Sequence, residues 1–288
     1  MEIALLGTGL MGRPMAERLL EANHRLIVFN RTREKAEPLR TLGAEIAESA
    51  HEAIRSSKCV ILMLANAQAI HEVLLSPPSL AELSHRTVIQ MGTISPTESI
   101  AISREVLKAG GDYLEAPVLG SIAEAKGGKL ILMVGAPPEQ FRRWLELLKC
   151  LGPDPLLIGP VGHASGLKLA MNQLIASLTA AFALSLGFVQ RKEIDVDLFM
   201  RILRDSFLYA PQFDKKFERM ISRDHSNPYF PTKHLVKDID LFLSEAKSMN
   251  IDTLGLEGIR RLLAITLERG YTEEDYSAMF DAITQKGE

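Results

Sequence analysis

Apolar residues recur through the first half of the chain in short unbroken runs, each separated from the next by a polar or helix-patterned stretch. Ile3-Ala4-Leu5-Leu6, Arg25-Leu26-Ile27-Val28-Phe29, Cys59-Val60-Ile61-Leu62-Met63-Leu64, Thr87-Val88-Ile89-Gln90-Met91, Asp112-Tyr113-Leu114-Glu115 and Leu130-Ile131-Leu132-Met133-Val134 read as strands. A continuous apolar run is what a strand covered on both faces needs. Arg33 to Leu39, His51 to Arg55, Pro96 to Ala109 and Pro138 to Leu151 read as helices between them. Strands alternating with helices predict a parallel, doubly wound sheet. The pattern changes after Gly159-Pro160-Val161-Gly162. Ala164 to Lys192 reads as one long helix without proline. The chain from there to Ile283 reads as helical, with polar breaks such as Asp224-His225-Ser226-Asn227-Pro228.

The first apolar run leads straight into Gly7-Thr8-Gly9-Leu10-Met11-Gly12, and an amphipathic stretch opens at Arg13-Pro14-Met15-Ala16. Strand, glycine turn, then helix is the order a dinucleotide-binding unit requires. Gly7 permits the tight turn, Gly9 lets a pyrophosphate approach the backbone, and Gly12 lets the helix pack on the strand. The helix N-terminus then offers unpaired N–H groups to the phosphates. The expected fold is therefore an α/β Rossmann-like N-terminal domain over residues 1–162. A long interdomain helix joins it to an all-α domain over residues 163–288.

The end of the second strand bears on the choice of dinucleotide. A carboxylate there would bond the adenosine 2′-hydroxyl and repel a 2′-phosphate. The chain has Asn30-Arg31-Thr32 instead. A planar guanidinium matches a phosphate with a fork of donors, and Asn30 and Thr32 add neutral hydrogen bonds. The expected cofactor is NADP (NADPH).

With 288 residues the chain has ample material for a core. A net charge of -3 and the lack of a basic stripe argue against nucleic acid as a partner. The two cysteines, Cys59 and Cys150, supply neither a disulfide framework nor a metal site. Met1 runs directly into the first strand, and the apolar stretch Leu174 to Val189 is interrupted by Ser177, Thr179, Ser185 and Gly187. The expectation is a cytoplasmic protein with no membrane span.

Hydride chemistry also needs a proton donor. Lys168 and Asn172 lie four residues apart at the start of the long helix and share one face. Apolar neighbours Leu167, Leu169, Ala170 and Met171 would strip hydration from the Lys168 ammonium and ease proton release. Asn172 would hold the lysine or the reacting oxygen. Met91-Gly92-Thr93-Ile94-Ser95-Pro96 ends one strand with a small polar turn, where ligands sit in open α/β sheets. Glu115-Ala116-Pro117-Val118-Leu119-Gly120-Ser121 ends another and opens a helix, and the N–H groups of Gly120 and Ser121 would hold a carboxylate. Phe230-Pro231-Thr232-Lys233-His234-Leu235-Val236-Lys237-Asp238 sets cations and an acid beside an aromatic ring.

Taken together these segments resemble the β-hydroxyacid dehydrogenase family over nearly the whole chain. The glycine turn looks like its cofactor motif, Glu115 to Ser121 its substrate motif, Gly166 to Asn172 its catalytic helix, and Lys237-Asp238 its late lysine–aspartate pair. The resemblance implies that Lys168 is the general acid in reduction and the base in reverse. Asn172 and the Gly120-Ser121 turn would orient substrate, with Phe230 and Asp238 beside it. Thr93 would touch the nicotinamide ribose or the substrate, and Lys237 would close over the cofactor. Leu64 and Asn66 fall where the family's cofactor loop lies. Members are often dimers or tetramers, and the resemblance assigns substrate binding and oligomerisation to the all-α domain. Leu119 departs from the family, many of whose members carry a serine there that binds the substrate carboxylate; Ser121 would compensate, or the substrate would differ. The segment from Phe230 to His234 leans toward the glyoxylate/succinic semialdehyde reductase branch. The expected reaction is NADPH-dependent reduction of a small aldehyde acid, with a carboxylated aldehyde or hydroxy acid as the bound partner. Three alternatives remain open: a 3-hydroxyisobutyrate-type dehydrogenase working oxidatively with NAD(P), an imine reductase, and a non-catalytic NADPH-binding protein. An imine reductase need not keep the lysine.

Overall fold

The computed structural model describes residues 1–284, so residues 285–288 of the expected C-terminal domain lie outside the described residues. The chain divides into two compact units, Met1–Lys168 and Leu169–Glu288. Nine strands belong to the first: β1 (Glu2–Leu6), β2 (Arg25–Phe29), β3 (Glu45–Ile46), β4 (Cys59–Leu62), β5 (Thr87–Gln90), β6 (Asp112–Glu115), β7 (Val118–Leu119), β8 (Ile131–Gly135) and β9 (Leu156–Gly159). Its helices are α1 (Gly12–Glu21), α2 (Ala50–Arg55), α3 (Ala67–Val73), α4 (Pro77–Leu80), α5 (Pro96–Lys108), α6 (Ile122–Lys126) and α7 (Pro138–Lys149). Helix α8 (His163–Arg191) contains the division, and α9 (Val196–Asp205), α10 (Pro211–Ser222), α11 (Thr232–Ser248), α12 (Leu254–Glu268) and α13 (Met279–Thr284) follow.

The strands run in the order β3-β2-β1-β4-β5-β6-β8-β7, with β9 on β8. From β3 to β6 every pairing is parallel, and the in-register ends Leu6, Phe29, Leu62, Gln90 and Glu115 line up along one edge. The expected sheet was wholly parallel, but β8 runs antiparallel to β6 and β7. The apolar runs explain the layering. Ile3, Leu5, Cys59 and Ile61 face one core with α1 and α7, while Ala4, Leu6, Val60 and Leu62 face another with α2, α3 and α5. Alternate side chains of one strand leave on opposite faces, so an unbroken apolar run fills both.

One expected helix is different. Arg33 to Leu39 forms two 3-10 segments, Arg33–Lys35 and Glu37–Leu42, rather than an α-helix. Pro38 has no N–H, and its ring would strike the carbonyl of Glu34 in a continuous α-helix.

The second unit has its own core. Ala176 and Ala180 of α8 pack with Leu235 and Ile239 of α11 and Leu263 of α12, and Phe182, Ala183 and Leu186 pack with Met200, Phe213, Phe217 and Phe280. Helix α8 is long and apolar enough by composition to cross a bilayer. Its buried face is nonetheless spent on these helices, as in a core helix.

Candidate active site

The glycine turn joins β1 to α1 at the carboxyl edge of the sheet. Gly7 has φ +104°, a conformation L side chains rarely adopt, and a Cβ there would lie 2.4 Å from the Met63 carbonyl oxygen. A Cβ on Gly12 would lie 2.0 Å from the Gly7 carbonyl oxygen. Gly9 has open space where a side chain would stand. Met11 caps α1 without a side-chain hydrogen bond, and no acid occupies the first turn. Leu10 is exposed and Met11 half-buried. The buried Thr8 hydroxyl has no partner among the described residues. An open backbone at Gly9, an uncapped helix start and an unpaired hydroxyl together form a fitting cradle for the pyrophosphate of a dinucleotide.

Asn30 ties this turn to the end of β2. It accepts from the Thr8 N–H at 2.9 Å and donates to the Thr32 carbonyl at 2.8 Å. Arg33 is committed to Glu37 at 2.9 Å and to Glu48 at 2.5 Å. Arg31 is exposed and makes no ion pair among the described residues. Arg33 is thus committed to carboxylates at this strand end and Arg31 is not, among the described residues.

The chain leaving β4 packs against this turn through Met63 and Leu64, and Gly92 beyond β5 packs against Leu64. Leu64 is half-buried beyond β4, and Asn66 caps α3 by accepting from the Ala69 N–H at 2.8 Å. Buried Gln90 donates to the Gly92 carbonyl at 2.9 Å and accepts from its N–H at 2.7 Å. That pair of bonds fixes the backbone just before half-buried Thr93. Ser95 then opens α5 with a capping box to Glu98.

The segment after β6 holds an unexpected internal occupant. Gly120 has φ +134°, as a tight turn needs. Ser121 gives its N–H to Glu124 Oε2 at 2.7 Å, and its hydroxyl bonds the same oxygen. Two donors expected to meet a ligand's carboxylate are therefore engaged by a carboxylate of the chain itself.

Glu115 was expected only as the end of β6, and its surroundings could not be inferred from that placement. It is fully buried. Oε1 accepts from the N–H groups of Gly162, Ala164 and Ser165 at 2.8, 2.9 and 3.1 Å. Oε2 accepts from the hydroxyls of Ser165 at 2.6 Å and Ser99 at 2.5 Å. Ser99 also meets the Tyr113 hydroxyl at 3.0 Å, and burial pushes that phenol well above its ordinary range.

Lys168, on the next turn of α8, is half-buried rather than enclosed, and Leu167 beside it is exposed. The apolar sequence around it does not translate into full burial, because neighbours along a helix point in different directions.

In the second unit, Asn172 is 2% exposed and donates from Nδ2 to Asp238 Oδ2 at 2.6 Å. Its Oδ1 is buried without a partner among the described residues. Lys237 lies 2.8 Å from Asp238 Oδ1. Phe230 is half-buried, with its ring edge-on to Tyr276 at 5.7 Å. Lys233 pairs with Glu273, and His163 is exposed. His234 is half-buried, and burial, then Lys237 and Lys233, push its pKa down. A buried pair missing from the sequence reading lies beneath this surface: Lys216 bonds both oxygens of Asp275 at 2.7 and 2.9 Å.

Residues 2–159 match the model described as the NAD binding domain of 6-phosphogluconate dehydrogenase. Residues 162–283 match that described as NAD-binding of NADP-dependent 3-hydroxyisobutyrate dehydrogenase. The chain is 32% identical over 286 residues to 2-hydroxy-3-oxopropionate reductase of Escherichia coli (strain K12), covering 98% of this chain and 97% of the relative. It is 29% identical over 283 residues to glyoxylate/succinic semialdehyde reductase 2, chloroplastic, of Arabidopsis thaliana, covering 98% and 79%. A solved 3-hydroxyisobutyrate dehydrogenase of Mycobacterium tuberculosis with L-serine shares the fold, with a TM-score of 0.88 at 21% identity over 98% of each chain.

Proposed function

Since the chain belongs to the β-hydroxyacid dehydrogenase family of NAD(P)-dependent oxidoreductases, we propose that it reduces a small aldehyde acid, of the succinic semialdehyde or glyoxylate kind, with NADPH. The observation that carries the reading is Asn172. Its amide is held by Asp238, and its carbonyl oxygen is left, among the described residues, without a partner one helical turn beyond Lys168. A buried polar atom without a partner is costly unless a ligand or a neighbouring donor meets it.

The cofactor is assigned to Gly7, Thr8, Gly9, Leu10, Met11 and Gly12 for the pyrophosphate, to Asn30, Arg31 and Thr32 for the 2′-phosphate, and to Leu64, Asn66, Thr93 and Lys237. When bound, the nicotinamide supplies the hydride. Lys168 gives its proton to the carbonyl oxygen as that oxygen gains charge, leaving a neutral amine that recovers a proton from solvent. Asn172 orients Lys168 or the reacting oxygen. Thr93, Gly120, Ser121, Phe230 and Asp238 are assigned to the substrate. Anion binding at Ser121 requires Glu124 to turn away. The 3-hydroxyisobutyrate type of relative keeps the oxidative direction as a second reading.

In this reading residues 1–162 form the cofactor domain and 163–288 the substrate and oligomerisation domain of a cytoplasmic dimer or tetramer. Assembly is supported by the apolar side chains that α8 leaves exposed, Leu184 and Phe188 among them. The test is a steady-state screen of NADPH and NADH oxidation over glyoxylate, succinic semialdehyde, methylmalonate semialdehyde and tartronate semialdehyde. Turnover with NADPH and one of the first two is expected. No turnover with any aldehyde, or a clear preference for NADH, would overturn the reading.

A further inference from the structure

We propose that Glu115 is a positioning residue that sets the place of Lys168 by gripping the start of α8, a role resting on the reading of Lys168 as the proton donor. The geometry is unusual in one respect. Five donors converge on one fully buried side chain, and four of them belong to the segment that starts α8: the N–H groups of Gly162, Ala164 and Ser165, and the Ser165 hydroxyl. The fifth is Ser99 of α5. Every partner gives a hydrogen, so Glu115 serves as acceptor throughout. A helix start has unpaired N–H groups by construction and is ordinarily capped from within its own chain segment. Here the cap comes from the last residue of a central strand, 47 to 50 positions earlier.

The consequence is one of register. Glu115 stands in line with Gln90 on β5 and with Gly135 on β8, so its backbone is held from both sides. A Cβ on Gly135 would lie 2.4 Å from Glu115 Oε1, and the absence of one makes room for the carboxyl group. The strand that leads into the Pro117–Ser121 turn thus also dictates where the first turn of α8 lies. Lys168 follows Ser165 by three residues, on the next turn of the same helix. A shift of that turn moves the lysine directly, and displacements of about 1 Å in catalytic groups cost up to about 100-fold in rate.

The test is a double-mutant cycle on the full chain with NADPH and the best aldehyde from the screen, measuring kcat, KM, NADPH binding and the unfolding midpoint. Glu115→Gln keeps the volume but turns one acceptor oxygen into a donor facing the two serine hydroxyls. It is expected to lower kcat about tenfold, with the NADPH Kd unchanged within about twofold. In the Lys168→Ala background, itself expected to lose at least about 100-fold, the same substitution should change kcat by less than about twofold, because nothing remains to be positioned. Equal losses in both backgrounds, or no loss in the parent, would overturn the positioning role while leaving Lys168 as the donor. A near-normal Lys168→Ala enzyme would instead refute the donor reading, and the positioning role with it. If Glu115→Gln does not fold, Ser165→Ala, which removes one hydroxyl of the grip, carries the same cycle with the same criteria.

Discussion

Asp238 decides which way round the Asn172 side chain sits. The 2.6 Å bond from Nδ2 to a carboxylate admits only the amide nitrogen on that side, so the carbonyl oxygen must face the other way. Lys237 on the far side of Asp238 completes a cation–carboxylate–amide series within α8 and α11. Asp238→Asn removes that discrimination, because an amide can pair with Asn172 in either orientation. It is expected to lower kcat between about 10- and 100-fold while leaving the KM for NADPH near its parent value. Steady-state kinetics check this, and a loss confined to the KM for NADPH would place Asp238 with the cofactor instead.

Arg31 should carry the cofactor preference. Arg33 is spent on Glu37 and Glu48, whereas Arg31 has no acid against it among the described residues. A charge-assisted hydrogen bond contributes about 1.5–3 kcal/mol. Arg31→Ala is therefore expected to raise the KM for NADPH at least about tenfold and to leave the KM for NADH unchanged. Equal effects on both cofactors would show that Arg31 does not touch the phosphate that distinguishes them.

The parts of the fold legible in the sequence are those fixed by local pattern. The glycine turn combines a strand run, Gly7, Gly9, Gly12 and a helix start within a few residues, and the structure gives Gly7 and Gly12 separate steric reasons while Gly9 faces open space. The length of α8 was legible because no proline interrupts it. The strands β3 and β7, two residues each, are too short for an alternation to register. The grip of Glu115 on α8 was illegible for a different reason. A buried acid at a strand end announces a need for donors, but those donors lie some 50 residues on, and only the folded chain pairs them. Glu124 was hidden because a serine followed three residues later by glutamate reads as an ordinary capping box. Only coordinates show that the donors engaged are those otherwise assigned to a ligand.

Under the proposed assignment of Ser121 to the substrate, that engagement would make Glu124 a brake on anionic substrates. It occupies the Ser121 donors and presents like charge to an incoming carboxylate. Glu124→Ala frees the donors at a cost of about 1 kcal/mol in helix capping. The KM for the aldehyde acid is expected to fall about 3- to 10-fold, as one released charge-assisted contact allows, with kcat little changed. Kinetics with an uncharged aldehyde serve as the control, since its KM should not move. An unchanged KM for the acid would place its carboxylate elsewhere.

Acid stability should report the second unit's buried histidine. His225 sits against Ser277 at 2.9 Å and Asp281 at 3.5 Å, with the Tyr271 ring edge-on and Asp275 and Arg219 nearby. Burial pushes its pKa below the ordinary 6.5, outweighing the opposing pull of Asp281 and Asp275. His234 is shifted the same way. Between the folded and unfolded values the unfolded chain binds more protons, so stability is complete above the unfolded pKa and declines as pH falls through about 6.5. Carboxylates such as Asp214, held below their usual range by Arg204, begin to weigh only near pH 4 and below. The unfolding midpoint should therefore drop between about pH 7.5 and 5.5, each histidine contributing at most about 1.4 kcal/mol per pH unit. His225→Asn keeps a polar atom near Ser277 but cannot titrate, so its stability curve should be flatter across that window. Thermal unfolding over the series checks this, and an identical slope in the variant would assign the acid sensitivity to another group.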